Sequence, residues 1–169
     1  LLGTPPAPGR PDTEVAQLAL DAIDRLTTDP GPLQGVADTS TFFPVGHSAG
    51  GGTSLRLLAR PEVTFAVPLS AGVNPDSGAV PAVLSDTGKS LMWVVGDRDG
   101  VAAPAAVRAG YEYTAGPSSL VVVPQSGHNN AFSDICEIGR DQGGLIGLAQ
   151  SGGLPLPDFI INLARDGCI

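Results

Sequence analysis

Three side chains, set in order along the chain, could act together: Ser48, an aspartate at 97 or 99, and His128. The first lies in Gly46-His47-Ser48-Ala49-Gly50, between an apolar run and a helix-like stretch. A serine with glycine two residues to either side, at a strand-to-helix junction, is the pattern of a nucleophile elbow. So sharp a turn presses the flanking residues against neighbouring backbone. Gly46 and Gly50 are therefore expected where a side chain has no room, with Ser48 strained at the apex and its hydroxyl exposed. The backbone N–H of Ala49, at the helix start, would face the oxyanion of a tetrahedral intermediate.

A serine hydroxyl is a poor nucleophile until an imidazole takes its proton. A neutral imidazole can accept that proton and then deliver it to a leaving group. A carboxylate holds the imidazole tautomer and stabilises the imidazolium that forms. Both partners follow apolar runs: Gly96-Asp97-Arg98-Asp99-Gly100 comes after 91–95, and Ser126-Gly127-His128-Asn129-Asn130 after 120–123. Asp99, three residues past Gly96, has the reach to turn back toward the histidine and is the expected acid. Asp97, directly after the strand, is the alternative, and would otherwise cap or solvate the turn. His47 fills the variable position of the elbow, where packing is the expected role, and Asp134 is expected to be structural. No GK[ST] follows the glycines, which excludes a phosphate-binding loop of that type. The D-x-D-G spacing at 97–100 puts glycine too early for an EF-hand, and no glutamate completes it.

The elements that must position these residues can be read along the chain. At 169 residues, with 42% hydrophobic and 15% charged residues, the composition is that of one globular domain over 1–169. A net charge of −8, with nine scattered basic residues of which Lys89 is the only lysine, argues against a nucleic-acid partner. No apolar run approaches the length that spans a membrane, so stable insertion is not expected. Residues 1–9 read as a Pro-rich loop and not as a signal peptide. Val15, Leu18, Ala19, Ala22, Ile23 and Leu26 recur at helical spacing, and 29–32, Asp-Pro-Gly-Pro, ends that helix. A short strand is expected at 41–45, although Pro44 removes a donor there. A helix is expected at 54–60, with strands at 63–69, 91–95 and 120–123. Helices are expected at 102–115 and 156–164, and 71–90 reads as loop. Continuous apolar strands alternating with helices indicate a parallel sheet covered on both faces.

Cys136 and Cys168 are the only cysteines and form no CxxC, and with two histidines a zinc site is not expected. If they pair, the crosslink closes about 30 residues and contributes roughly 3–4 kcal/mol, which would imply an oxidising compartment. The alternative is two separate buried thiols.

On Gly46-His47-Ser48-Ala49-Gly50-Gly51, Gly96-Asp97-Arg98-Asp99 and Gly127-His128, in the order serine, acid, histidine, the chain resembles the α/β-hydrolase family. Gly50-Gly51-Gly52 followed by Ser54-Leu55-Arg56-Leu57, the Val67-Pro68-Leu69 strand end and the cysteine pair are similar to its secreted cutinase-like polyester hydrolases. Chlorophyllase-like and dienelactone-hydrolase-like proteins are the neighbours of that branch. The resemblance implies a carboxylic ester hydrolase working through an acyl-enzyme, with no metal or organic cofactor. It implies Ser48 as nucleophile, His128 as base, Asp99 as acid and a small-molecule, lipid or polyester ester as substrate. It leaves the oligomeric state open. The family's elbow follows the fifth of about eight strands, whereas only 47 residues precede Ser48 here. The expectation is thus a C-terminal half of the fold, lacking the N-terminal strands and the loop that supplies a second oxyanion donor. The alternative function is a non-catalytic fragment or interaction module that keeps the triad as ancestry.

Overall fold

The computed structural model describes residues 12–32, 34–36, 42–73, 82–132, 134–138, 140–153, 155–158 and 161. Four parallel strands form one sheet in the order β1 (Val45–His47), β2 (Phe65–Leu69), β3 (Ser90–Gly96), β4 (Ser118–Val123). The register sets Val45 beside Val67, Ala66 beside Leu91, Leu69 beside Val94, and Gly96 beside Val123. Strands laid side by side in sequence order bring all their carboxyl ends to one rim, the rim where open α/β sheets carry their chemistry.

Helices α1 (Asp12–Thr28), α2 (Ala49–Leu57), α3 (Pro104–Tyr113) and α4 (Gly144–Ser151) accompany the sheet, with 3-10 turns at Ala82–Ser85, Ile135–Glu137 and Arg140–Gln142. One core holds the described centre together. Leu55 and Leu58 from α2 and its end, Val107 from α3 and Leu84 from the first 3-10 turn pack over Ala66, Leu91, Trp93 and Val95. Alternation along β3 puts Leu91, Trp93 and Val95 on that face, while Met92 on the other is half-buried. Trp93 is the largest fully buried side chain, and its indole N–H donates to Thr114 Oγ1 at 3.1 Å. Gly110 lets α3 settle onto it, because a Cβ there would lie 2.5 Å from the indole. Lys89 closes the turn after α2 by donating to the carbonyls of Arg60 and Val63 at 2.8 and 2.6 Å.

Several element bounds differ from the sequence expectation. The first strand is Val45–His47 rather than 41–45, and this resolves Pro44. Its missing N–H falls before the strand begins, while its carbonyl still accepts from Val67 N at 3.0 Å. Helix α2 begins at Ala49 rather than at 54, because the helix grows directly out of the elbow. Two residues of the apolar stripe of α1 face solvent, Leu18 at 49% exposure and Ala22. The helix expected at 156–164 and residue Cys168 lie largely or wholly outside the described residues. Among the described residues no helix is long and apolar enough to cross a membrane.

Candidate active site

Ser48 directly follows β1 and precedes α2, with φ 56° and ψ −119°. A side chain at such a φ is strained, and non-glycine residues hold it where the surroundings over-determine it. Here Ser48 N–H donates to Leu69 O at 2.9 Å, and Ser48 O accepts from Gly52 N at 3.1 Å, so both ends of the turn are tied. Ser48 is the N-cap residue of α2, yet its side chain makes no capping bond, which leaves the hydroxyl uncommitted to the helix. Ala49 is the first residue of α2, where the backbone N–H groups of a helix lack intrahelical acceptors.

The glycines of the elbow divide differently from the expectation. A Cβ on Gly46 would lie 2.0 Å from Gly50 O, so that position admits no side chain. A Cβ on Gly50 would meet nothing within 4 Å. The second crowded residue is Gly51, whose Cβ would lie 2.5 Å from the Ala71 methyl and 3.1 Å from Leu69 O. Close approach on the helix side thus falls one residue later than expected, against the backbone leaving β2. Gly46→Ala is expected to destabilise the fold by about 1–3 kcal/mol or more through overpacking. Gly50→Ala is expected to be neutral or to stabilise by about 0.5–1 kcal/mol, as alanine does within a helix. Urea midpoints of the two variants check this, and equal losses in both would contradict it.

His128 and Asp99 come from the loops after β4 and β3. His128 Nδ1 donates to Asp99 Oδ2 at 2.9 Å, with Oδ1 at 3.1 Å, and each residue is 3% exposed. Asp99 Oδ1 also accepts from Val101 N at 2.9 Å and Ala102 N at 2.7 Å. These donors fix the carboxylate and satisfy its charge in a place water does not reach. With Nδ1 as donor, a neutral His128 keeps Nε2 as its proton acceptor.

Asp97 binds the next loop and not the imidazole. It is exposed, and Oδ1 accepts from Ser126 N at 3.1 Å, fastening the loop after β3 to the loop that carries His128. The backbone donors of Gln125 and Ser126 hold its carboxyl below the usual range. Gly96 allows the same contact, since a Cβ there would lie 2.1 Å from Ser126 O, and Arg98 N donates to that oxygen at 2.9 Å. A depressed carboxyl stabilises the fold above its unfolded value, about pH 3.9 for aspartate, and the contribution fades as pH falls through the folded value. Asp97→Asn keeps an acceptor oxygen and removes the charge. Its urea midpoint is therefore expected to fall below that of the wild type at pH 7 and pH 5, the gap narrowing below about pH 4. A gap independent of pH would show that the charge is not what matters.

His47 makes more contacts than packing alone required. Its Nε2–H donates to the His128 carbonyl at 2.8 Å, and its ring lies 4.6 Å from the His128 ring and 5.3 Å from that of Phe132. Burial holds its imidazole below the ordinary value, with the bond to the His128 carbonyl pulling the other way. This contact joins the elbow to the histidine loop. Asp134 is exposed, and its carbonyl accepts from Glu137 N at 2.9 Å. The sequence reading missed Ser70, which follows β2 with φ 46°. Its hydroxyl is buried with no hydrogen-bond partner among the described residues, and its N–H donates to Val94 O at 2.8 Å.

No protein-family model and no curated protein sequence matches the chain. Solved structures do. An α/β-hydrolase candidate of unknown function from Agrobacterium tumefaciens superposes with a TM-score of 0.56 at 21% identity, over 92% of this chain and 67% of that one. An α/β serine hydrolase homologue from Coxiella burnetii gives a TM-score of 0.50 at 20% identity, over 75% of this chain and 57% of that one. The chain spans about half the length of the first structures it matches, 49% and 51% for two esterases from Rhodothermus marinus and Butyrivibrio proteoclasticus. The fold is that of the α/β hydrolases, represented here by four parallel strands and their helices.

Proposed function

We propose that the site is that of a serine hydrolase cleaving carboxylic esters, with Ser48 as nucleophile, His128 as general base and acid, and Asp99 as the group that orients His128. The observation that carries this reading is the buried His128–Asp99 pair at 2.9 Å, held on the same sheet rim as a serine at φ 56°. Ser48 Oγ attacks the ester carbonyl carbon as His128 Nε2 takes its proton. The Ala49 N–H stabilises the oxyanion, the alkoxide leaves with the proton from His128, and water then hydrolyses the acyl-enzyme by the reverse relay. Asp99 stays ionised throughout and favours the imidazolium.

The finer reading is a secreted enzyme related to the cutinase-like polyester hydrolases, with Cys136 and Cys168 paired. It rests on the sequence resemblance and on the two cysteines alone; a count of two free thiols in the denatured, unreduced chain would exclude the pairing. The test of the activity is hydrolysis of p-nitrophenyl short-chain esters, followed by a panel of soluble esters, lipids and polyesters. Turnover that survives unchanged in Ser48→Ala would sink the nucleophile assignment. The panel separates a soluble-ester enzyme from one adapted to lipid or polyester.

A further inference from the structure

We infer that His47 is a positioning residue for the proposed base: its Nε2–H holds the His128 carbonyl, and its ring backs the His128 imidazole. The inference rests on the serine-hydrolase reading of Ser48, His128 and Asp99.

His128 sits in a tight turn, with Gly127 N donating to Asn130 Oδ1 at 2.5 Å and Phe132 N to Asn129 O at 3.1 Å. The imidazole itself is held at Nδ1 by Asp99, at one end only. Both contacts with the carboxylate, to Oδ2 at 2.9 Å and to Oδ1 at 3.1 Å, lie at Nδ1, and the Nε2 that must face Ser48 lies at the far end of the ring. His47 supplies the second restraint. It is the residue immediately before Ser48, so the bond of 2.8 Å from its Nε2 to the His128 carbonyl ties the base to the nucleophile's own strand. Ring contact at 4.6 Å limits where the His128 imidazole can tilt, and Phe132 at 5.3 Å backs His47 in turn. The titratable groups facing His47 are His128 and, beyond it, Asp99. Displacing a reacting group by about 1 Å can cost about 100-fold in rate, so a restraint of this kind acts on the chemical step more than on binding.

Two variants separate the donor from the packing. His47→Phe keeps an aromatic ring and loses the donor; His47→Gln carries an amide N–H at similar reach and loses the ring. His47→Phe is expected to lower kcat about tenfold or more, with KM changed less than about twofold. His47→Gln is expected to recover kcat to within about threefold of the wild type. A readout free of turnover comes from the strongly deshielded NMR signal of an imidazole N–H donated to a buried carboxylate. With only two histidines in the chain, the His128 signal is assigned by His128→Asn. It is expected to be sharp in the wild type and in His47→Gln, and exchange-broadened in His47→Phe. The inference is overturned if His47→Phe keeps both kcat and the sharp signal, or if His47→Gln loses as much as His47→Phe. Unchanged turnover in Ser48→Ala would instead sink the serine-hydrolase reading, and the NMR comparison would still judge the restraint on His128.

Discussion

If the site is the serine esterase proposed above, Ser48→Ala is expected to lower ester hydrolysis by about 10^4–10^6-fold and to leave the fold close to wild type. The rate effect follows from chemistry: without Oγ no acyl-enzyme forms, and only the oxyanion donor and substrate binding remain. The small structural effect follows from the position. Alanine keeps the Cβ that already occupies φ 56°, the Ser48 N–H still donates to Leu69 O, and the serine side chain caps nothing in α2. A thermal midpoint within a few degrees of wild type, alongside lost turnover, is the expected pair of results. A variant that loses activity only because it unfolds would leave the role of the hydroxyl undecided, so circular dichroism accompanies the kinetics.

On the same proposal, Asp99→Asn is expected to lower kcat by about 10^4-fold, by inverting a tautomer rather than by dismantling a loop. The two carboxylate oxygens are not equivalent. Oδ1 accepts from Val101 N and Ala102 N and lies 3.1 Å from His128 Nδ1, whereas Oδ2 makes the closer approach to Nδ1, at 2.9 Å. An asparagine keeps its carbonyl oxygen on those two backbone donors, because turning the amide would aim its NH2 at them. Its NH2 then falls where Oδ2 was and donates to Nδ1. His128 must accept there, carry its proton on Nε2, and lose its capacity as a base toward Ser48. The same backbone bonds predict that Asp99→Asn stays folded. Asp97→Asn is the matched control: it touches the histidine loop through Ser126 N and not the imidazole, and is expected to change kcat by less than about threefold. Equal losses in the two variants would mean that the Asp97 latch, and not the tautomer, governs the site.

Both arguments use geometry that the sequence exposed in part. The strands at 65–69 and 90–96 are legible because buried parallel strands must be apolar on both faces; that at 118–123 is legible from its apolar run alone, since Val121 and Val122 are exposed, and Gly96 and Pro124 mark two of the ends. The elbow and the order of the three loops were legible for a related reason: a glycine-flanked serine and a histidine after a strand are local patterns. Reach alone favours Asp99 over Asp97 in the sequence; in the structure Asp99 faces His128 Nδ1 and Asp97 binds Ser126 N. What was not legible depends on contacts between distant segments. The partner of His47 lies 81 residues away, so nothing near the elbow marks the residue as more than packing. The crowding of Gly51 rather than Gly50 comes from Ala71 and Leu69 after the next strand, which a pattern of five residues does not contain. Leu18 is exposed although it falls on the apolar stripe, because periodicity reports a stripe and not what covers it.

The central claim is that Ser48 is a nucleophile activated by His128, and covalent trapping tests it most directly. A fluorophosphonate, which phosphonylates activated serines with loss of fluoride, is incubated with the chain and the product is mapped by peptide mass spectrometry. One adduct is predicted on the peptide containing Ser48, absent in Ser48→Ala and formed at least about 100-fold more slowly in His128→Ala. Labelling that falls on another serine, or that is as fast without His128 as with it, would contradict the assignment.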